Sequence, residues 1–214
     1  MSDLFREVDE EIRHERYREL WKRWGPWAIG AALALVLVVG AYQGWQAYSR
    51  GQARTAAADY AAALDKAEAG ERQAAIQALG ELADSGPRGY RLVAQFRRAA
   101  LQVEAGNTDA AVSTWQAIAE SGDTPRPYGS LARIFAVMHR MDDGDPDALR
   151  ASLSPIANGD TPFRHTALEL QAVLAAKAGE RERAVALFKQ VADGANVPRQ
   201  QRQRATQMIA RLEG

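Results

Sequence analysis

The chain has 214 residues, which is enough for one globular domain of ordinary size and an appendage. Its 27 basic and 27 acidic residues give a formal net charge of zero, which argues against a nucleic-acid-binding protein. It contains no cysteine, so disulfide frameworks, thiolate zinc sites and cysteine nucleophiles are excluded. Hydrophobic residues make up 47% of the chain and aromatic residues only 7%, with much alanine and leucine, so we expect an all-α fold.

Residues 1–25 form a charged tail that we expect to be helical and cytoplasmic. Leu4, Val8 and Ile12 recur every four residues, which predicts a polar helix with a narrow apolar stripe. Such a helix either lies against a membrane surface or a cytoplasmic partner, or is solvated and stabilised by Glu–Arg pairs one turn apart. We favour the solvated helix, because anionic lipid would repel its acidic residues.

An uncharged stretch follows the tail, with no charged residue between Arg23 and Arg50. We predict a transmembrane helix over residues 26–48, because about 20 apolar residues span the hydrocarbon of a bilayer. A buried core helix would need a polar face, which this stretch lacks. Aromatic residues that favour the membrane interface stand at both ends of the predicted span: Trp21, Trp24, Trp27, Tyr42, Trp45 and Tyr48.

A cleaved signal peptide is the alternative interpretation of the same stretch. Val39, Gly40 and Ala41 supply small residues for a cleavage site after the apolar run. The charged region before the run is unusually long for a signal peptide, and bulky Tyr42 and Trp45 surround the cleavage position. We therefore favour the membrane anchor.

The distribution of basic residues predicts how the span is oriented. Only Arg50 and Arg54 follow it closely, whereas five basic residues precede it, so the N-terminus is expected to stay in the cytoplasm. Arginine greatly exceeds lysine and alanine is abundant, which favours a bacterial origin. We expect a single-pass inner-membrane protein whose residues 49–214 form a periplasmic domain. The basic residues before the span are Arg13, Arg16, Arg18, Lys22 and Arg23.

A sequence repeat follows the span. The stretch AGERQAAIQALGELADSG at 69–86 aligns with AGNTDAAVSTWQAIAESG at 105–122 at an offset of 36 residues. A third copy, AGERERAVALFKQVADG at 178–194, lies 73 residues beyond the second, which is two repeats. A degraded copy is expected between them at 143–159. The residues that support it are Asp147, Ala148, Leu149, Ile156 and Gly159.

Each copy reads as the second helix of a hairpin. The first helices are predicted at about 51–68, 88–105, 126–142 and 162–177, and a last helix at about Arg199 to Leu212. Large residues in the first helices, expected to pack between neighbouring repeats, are Tyr60, Phe96, Ile134 and Leu170. Residues 49–214 are thus predicted to form a tetratricopeptide-like α-solenoid of about four helical hairpins plus a C-terminal capping helix. Such stacks have a concave side suited to binding proteins.

Residues typical of catalysis or metal binding are sparse. His14, His139 and His165 form no metal-binding pair, and neither a phosphate-binding glycine loop nor a nucleophile elbow is present. The acidic run at 142–147 lacks the glycine and the glutamate that a calcium loop needs, so we interpret Asp145 as the cap of a helix starting at Pro146. Arginines 199, 202, 204 and 211 suit a solvated helix better than a basic patch. We expect no enzyme, no cofactor, no metal and no small-molecule substrate.

The order of these elements resembles the YfgM-like family, the ancillary SecYEG translocon subunits. The resemblance lies in WQAYSRGQARTAAADYAAAL at 45–64 and in the helix starts at Gly89-Tyr90 and Tyr128-Gly129. It implies an adaptor held in the inner membrane, associated with the Sec translocon, whose periplasmic repeats engage chaperones or emerging client proteins. The tail is longer and more charged here than is usual in the family.

Two other functions are consistent with the same sequence features. A scaffold or assembly factor of another inner-membrane or envelope complex would have the same architecture, and a membrane-tethered hydrolase would need catalytic groups brought together by folding. Tyr90 and Tyr128, at the starts of two first helices, are the candidate protein-binding residues.

Overall fold

The computed structural model describes the backbone of residues 3–214 and the side chains of residues 23, 24, 27, 30 and 33–214. Over that backbone there are nine α-helices and no strand, which confirms the predicted all-α fold. The chain divides into two compact units, the first ending at Arg54 and the second covering Thr55–Gly214. The helices are α1 (Asp3–Glu68), α2 (Arg72–Ser85), α3 (Arg88–Glu104), α4 (Thr108–Glu120), α5 (Arg126–Met138), α6 (Pro146–Ala157), α7 (Arg164–Lys177), α8 (Arg181–Ala192) and α9 (Arg199–Glu213).

Several residues of the predicted membrane region fall outside the described side chains. They are Arg16, Arg18, Trp21 and Lys22 in the tail, and residues 26, 28, 29, 31 and 32 of the predicted span. Among the side chains that are described, no helix has an apolar run long enough to cross a membrane.

Three of the helical hairpins turn in the same way. The α1–α2, α3–α4 and α7–α8 connections are each three residues long and contain Gly70, Gly106 and Gly179, whose φ angles are 83°, 78° and 79°. In each, the glycine N–H donates to the carbonyl three residues back and the next N–H to the carbonyl five back, as with Glu71 N to Lys66 O at 2.9 Å. This is the Schellman arrangement, which needs the left-handed backbone that glycine adopts without strain. The predicted hairpins are confirmed at these turns.

The α5–α6 connection is different. The helix predicted to run to about residue 142 ends at Met138, where the Arg140 N–H donates to Val137 O in a tighter turn, so the predicted end was wrong. Seven residues then lead to α6, and none of them has a positive φ. The Asp145 side chain accepts hydrogen bonds from Asp147 N at 3.2 Å and Ala148 N at 3.4 Å, and Pro146 is the first helical residue. The interpretation of Asp145 as a helix cap is therefore confirmed.

The second unit has a core in three clusters along the chain. One joins α1 to α2 and α3, the next joins α3 to α4 and α5, and the third joins α5 to α9. Tyr60 lies 6.5 Å from Tyr90, and Phe96 lies 6.2 Å from Phe135, measured between ring centroids. Both aromatic residues of the first helices therefore pack between neighbouring repeats, as predicted.

The second helices share one burial pattern. The small residue at the fourth helical position is fully buried in α2, α4 and α8, and the large residue four positions on is buried as well. This lets the helices approach closely and fills the groove between them. The small residues are Ala75, Ala111 and Ala184, and the large ones are Leu79, Trp115 and Phe188.

Helix α6 keeps only the large position of this pattern, one residue later than its sequence suggests, because its fourth residue is Leu149, which is only partly buried. Ala148 is exposed, and the fully buried residue in the large position is Leu153. Three residues before the large position, the other second helices have an aliphatic residue, namely Ile76, Val112 or Val185. In α6 the residue at this position is Arg150. The expected register of the degraded copy was wrong by one residue, because the longer turn shifts the start of the helix.

Candidate functional site

A groove of the second unit lies along the first helices of the second and third hairpins. Helix α3 begins directly after Pro87 and α5 directly after Pro125, and the proline φ angle of −58° at both positions suits entry into a helix. Each helix buries one side in the core and leaves another side beside the groove. The groove has a volume of about 800 Å³ and is lined by α3, by the α4–α5 connection and by the start of α5.

The groove lining combines polar and apolar side chains. Arg88, Arg91 and Gln95 follow each other at helical spacing along one face of α3. Leu92 and Phe96 form the next row, and Tyr128 and Leu131 of α5 also line the groove. Such an arrangement can hold an amphipathic segment, because it offers hydrogen-bond donors and apolar surface together.

The groove contains two of the three exposed large apolar side chains of the second unit. Over residues 49–214, all of which are described, the only large apolar residues with exposed side chains are Val93, Tyr128 and Met138, each 48–49% exposed. Val93 and Tyr128 both line the groove. Apolar side chains concentrated in one concavity are typical of an interaction site.

The groove helices are basic although the chain as a whole is neutral. Between them α3 and α5 contain six arginines and one acidic residue, Glu104, at the end of α3. Arg88 forms an ion pair with Asp123 on the groove wall. Arg91 also lines the groove, and its side chain has neither an ion pair nor a hydrogen bond among the described residues.

The two candidate tyrosines have different surroundings. Tyr128 is about half exposed and lines the groove. Tyr90 is partly buried and packs with Tyr60 against the first core cluster, so the structure does not bring the two residues together. Protein binding by either residue stays a prediction.

Sequence reasoning missed Val93 and Arg91. Leu92, Val93 and Ala94 are consecutive apolar residues, and a helix cannot direct all three into one core. The residue left outside was therefore a recognisable candidate for contact with a partner.

The first unit presents apolar surface of another kind. Leu35, Val36, Leu37, Val38 and Val39 are consecutive on α1 and are 46–73% exposed. Because a helix turns once every 3.6 residues, five consecutive positions cover all of its faces. Of the aromatic residues predicted at the membrane interface, five have described side chains, and all five are exposed: Trp24, Trp27, Tyr42, Trp45 and Tyr48.

The histidines with described side chains are engaged in packing. The His139 ring stacks on Trp115, with centroids 4.9 Å apart and planes at 16°. His165 Nε2 lies 3.1 Å from Ala195 O. A smaller concavity of about 320 Å³ between α1 and α2 is lined by both acidic and basic side chains, including Asp59, Lys66 and Glu81. Within the described part of the chain, no three histidine, aspartate or glutamate residues are placed to hold a metal ion.

The family comparison agrees with this architecture. The profile of the tetratricopeptide repeat-like domain matches residues 18–208. The chain belongs to this family. A search of the curated proteins and a search of the solved structures found no match. A tetratricopeptide-like domain suggests a protein that binds other proteins, and the narrower resemblance to the YfgM-like family stays a prediction.

Proposed function

We propose that this chain is a membrane-anchored protein-binding adaptor, an accessory subunit of the Sec translocon that links it to periplasmic chaperones or emerging client proteins. In this proposal the N-terminal tail is cytoplasmic, α1 crosses the inner membrane, and the repeats bind a partner rather than catalyse a reaction. The link to the translocon comes from the YfgM-like resemblance. The observation that carries the binding role is the groove along α3 and α5.

Two features of the groove support a protein partner. It lies on the first helices of two successive hairpins, and in stacked hairpins such positions form an extended binding surface. Val93 and Tyr128 are exposed there, while nearly every other large apolar residue of 49–214 is packed. Covering them with a partner would remove apolar surface from water.

The exposed apolar surface of α1 supports the membrane anchor. A helix that is apolar on every face is stable when protein or lipid surrounds it. The rings of Trp45 and Tyr48, with centroids 6.5 Å apart, suit the headgroup region at one end of the predicted span.

Site-specific photo-crosslinking in native membranes tests the adaptor. A photoreactive phenylalanine analogue replaces Tyr128 in the full-length chain, and mass spectrometry identifies the crosslinked proteins. Met138 supplies the matched control, because it is equally exposed and lies on the same helix but does not line the groove. We expect Sec subunits, periplasmic chaperones or secreted clients at Tyr128 and not at Met138.

Other outcomes decide against the proposal in distinct ways. Crosslinks at Tyr128 to a different inner-membrane or envelope complex would make the chain a scaffold or assembly factor of that complex. Equal crosslinking at Tyr128 and Met138, or none at either, would exclude the groove as the binding surface.

Cysteine accessibility tests the topology, and the absence of native cysteine makes every introduced thiol unique. Ser85→Cys, at an exposed position at the end of α2, is expected to react in intact spheroplasts with a maleimide that cannot cross the membrane. Ser2→Cys is expected to react only after the membrane is permeabilised. The reverse pattern would overturn the proposed orientation, and reaction of both before permeabilisation would exclude a cytoplasmic N-terminus.

A further inference from the structure

We propose that the α3–α5 groove selects acidic, amphipathic segments of partner proteins, in which aspartate or glutamate side chains alternate with leucine or aromatic residues. This inference rests on the proposed adaptor function and specifies the chemistry of the segment that the groove receives.

The charge of the groove indicates a carboxylate. Arg91 lines it, is only partly exposed and has no ion-pair or hydrogen-bond partner in the described part of the chain. Arg88, three residues before Arg91 on α3, already binds the carboxylate of Asp123, which also lines the groove, so a carboxylate can be accommodated there. A guanidinium binds a carboxylate through two parallel N–H donors, and this gives geometric selectivity as well as affinity.

The arrangement of the groove indicates that the segment is also apolar. Arg88, Arg91 and Gln95 make up its polar row, and Leu92 and Phe96 lie on the adjacent row. A segment whose carboxylates face Arg91 therefore places its alternate side chains near Phe96 and Tyr128. A purely acidic segment would leave Val93 and Tyr128 exposed to water.

The neutral chain favours a protein segment over nucleic acid or a lipid surface. Polyanions bind mainly to extended positive charge, whereas the groove lining has two arginines, Arg88 and Arg91, and one aspartate, Asp123, and the formal net charge of the chain is zero. One unpaired arginine beside apolar side chains matches isolated carboxylates on a peptide.

Binding of defined peptides to the full-length chain in lipid nanodiscs tests the proposal. The probe is a fluorescein-labelled peptide that alternates glutamate with leucine and tyrosine, and its twin carries glutamine for every glutamate. Fluorescence anisotropy gives the Kd of each. We expect the glutamate peptide to bind about tenfold more tightly than its twin, as one charged hydrogen-bonded pair provides, and the difference to shrink at high salt.

Three variants of the groove and two control variants locate the binding. We expect Arg91→Gln to weaken binding of the glutamate peptide about tenfold without affecting the glutamine twin, and Arg91→Lys to retain part of the affinity. Tyr128→Ala is expected to weaken both peptides. The matched controls are Arg72→Gln, an exposed arginine on α2, and Met138→Ala, and neither residue lines the groove.

The outcomes separate this inference from the adaptor function. Equal binding of the two peptides, or equal losses from Arg91→Gln and Arg72→Gln, would overturn the selectivity for acidic segments. If photo-crosslinking at Tyr128 still recovers a translocon subunit, the adaptor function survives that result.

Two other results would assign the groove to a different occupant. A dimer seen by light scattering that Tyr128→Ala separates would assign it to a second copy of the chain, and tighter binding of single-stranded DNA than of the peptide would assign it to nucleic acid. Both results would also overturn the inference.

Discussion

The third hairpin differs from the other three in its turn and in its core. The α1–α2, α3–α4 and α7–α8 turns are three residues long and contain a glycine with positive φ, whereas the α5–α6 connection has seven residues and no such glycine. Of the neighbouring helix pairs from α2 to α9, α5 and α6 contact each other least. The longest connection within a hairpin, without a glycine of positive φ, thus occurs where the two helices contact each other least.

The core of α6 also accepts a charge where the other second helices have an aliphatic residue. The Arg150 side chain is only 5% exposed and binds the carboxylates of Asp147, on its own helix, and Glu180, at the start of α8. Burial alone would lower the pKa of Arg150, but the hydrogen bonds to Asp147 and Glu180 outweigh it, and the pKa is raised above its ordinary value. The position of Arg150 is thus buried by the packing of the helices, and it accommodates a cation because two carboxylates lie close enough to bind it.

The large buried residues give the strongest test of whether α6 packs as a repeat helix. Phe188→Ala in α8 is expected to lower the free energy of unfolding by about 3–5 kcal/mol and Leu153→Ala in α6 by about 2–5 kcal/mol, because both remove fully packed side chains. Urea denaturation of the full-length chain in detergent, followed by circular dichroism, measures both. Met138→Ala is the exposed control. A loss below about 1 kcal/mol for Leu153→Ala would show that α6 is not packed like the other second helices.

The carboxylate of Glu180 gives the next largest effect. Glu180 and Glu71 occupy the same position before α8 and α2, but only Glu180 binds a buried arginine, at 2.8 Å. Glu180→Ala is expected to destabilise the chain by about 2 kcal/mol, the usual value for a hydrogen bond to a charged group. Glu71→Ala, measured in the same denaturation assay, is expected to change the stability by less than about 0.5 kcal/mol. Equal losses would mean that Glu180 acts through its own helix and not through Arg150.

Replacing Arg150, the cation that Glu180 binds, tests whether the buried ion pairs contribute net stability. Nε and Nη1 of Arg150 are buried and have no hydrogen-bond partner among the described residues. Arg150→Met fills a similar volume without polar atoms and frees Asp147 and Glu180 to be hydrated, so we expect a gain of about 1 kcal/mol in the free energy of unfolding. Adding Glu180→Ala to Arg150→Met is expected to leave the free energy of unfolding unchanged, because the arginine that Glu180 binds is already absent. A loss of more than about 2 kcal/mol from Arg150→Met would show that the ion pairs contribute net stability.

These differences show what the sequence could and could not predict. The hairpins with Gly70, Gly106 and Gly179 were predictable because glycine fixes where each helix ends, and alanine four residues into the next helix marks close packing. The end of α5 and the register of α6 were not, because no glycine marks the turn after Met138 and Arg150 interrupts the apolar pattern. The groove was predictable only through Tyr128, since its other walls come from residues distant in sequence, such as Arg91 and Asp123.

The smallest expected effect comes from the contact between the α5–α6 connection and α7. Lys177 Nζ donates to Met141 O at 2.9 Å and to the carboxylate of Asp142, whose side chain is 98% exposed. The hydrogen bond from Lys177, together with its charge, holds the pKa of Asp142 below its usual range. Because the folded-state pKa is lowered, the stabilisation is complete above the ordinary pKa of aspartate and is lost as the pH falls through the lowered value.

Lys177→Met is therefore expected to raise the pKa of Asp142 toward its ordinary value and to reduce stability slightly at neutral pH but not in strong acid. Titration of the Asp142 carboxyl carbon by NMR measures the first effect, and urea denaturation at both pH values measures the second. Identical titration of Asp142 in the parent chain and in Lys177→Met would show that Lys177 does not stabilise the α5–α6 connection, which would then depend on its turn and the Asp145 cap alone.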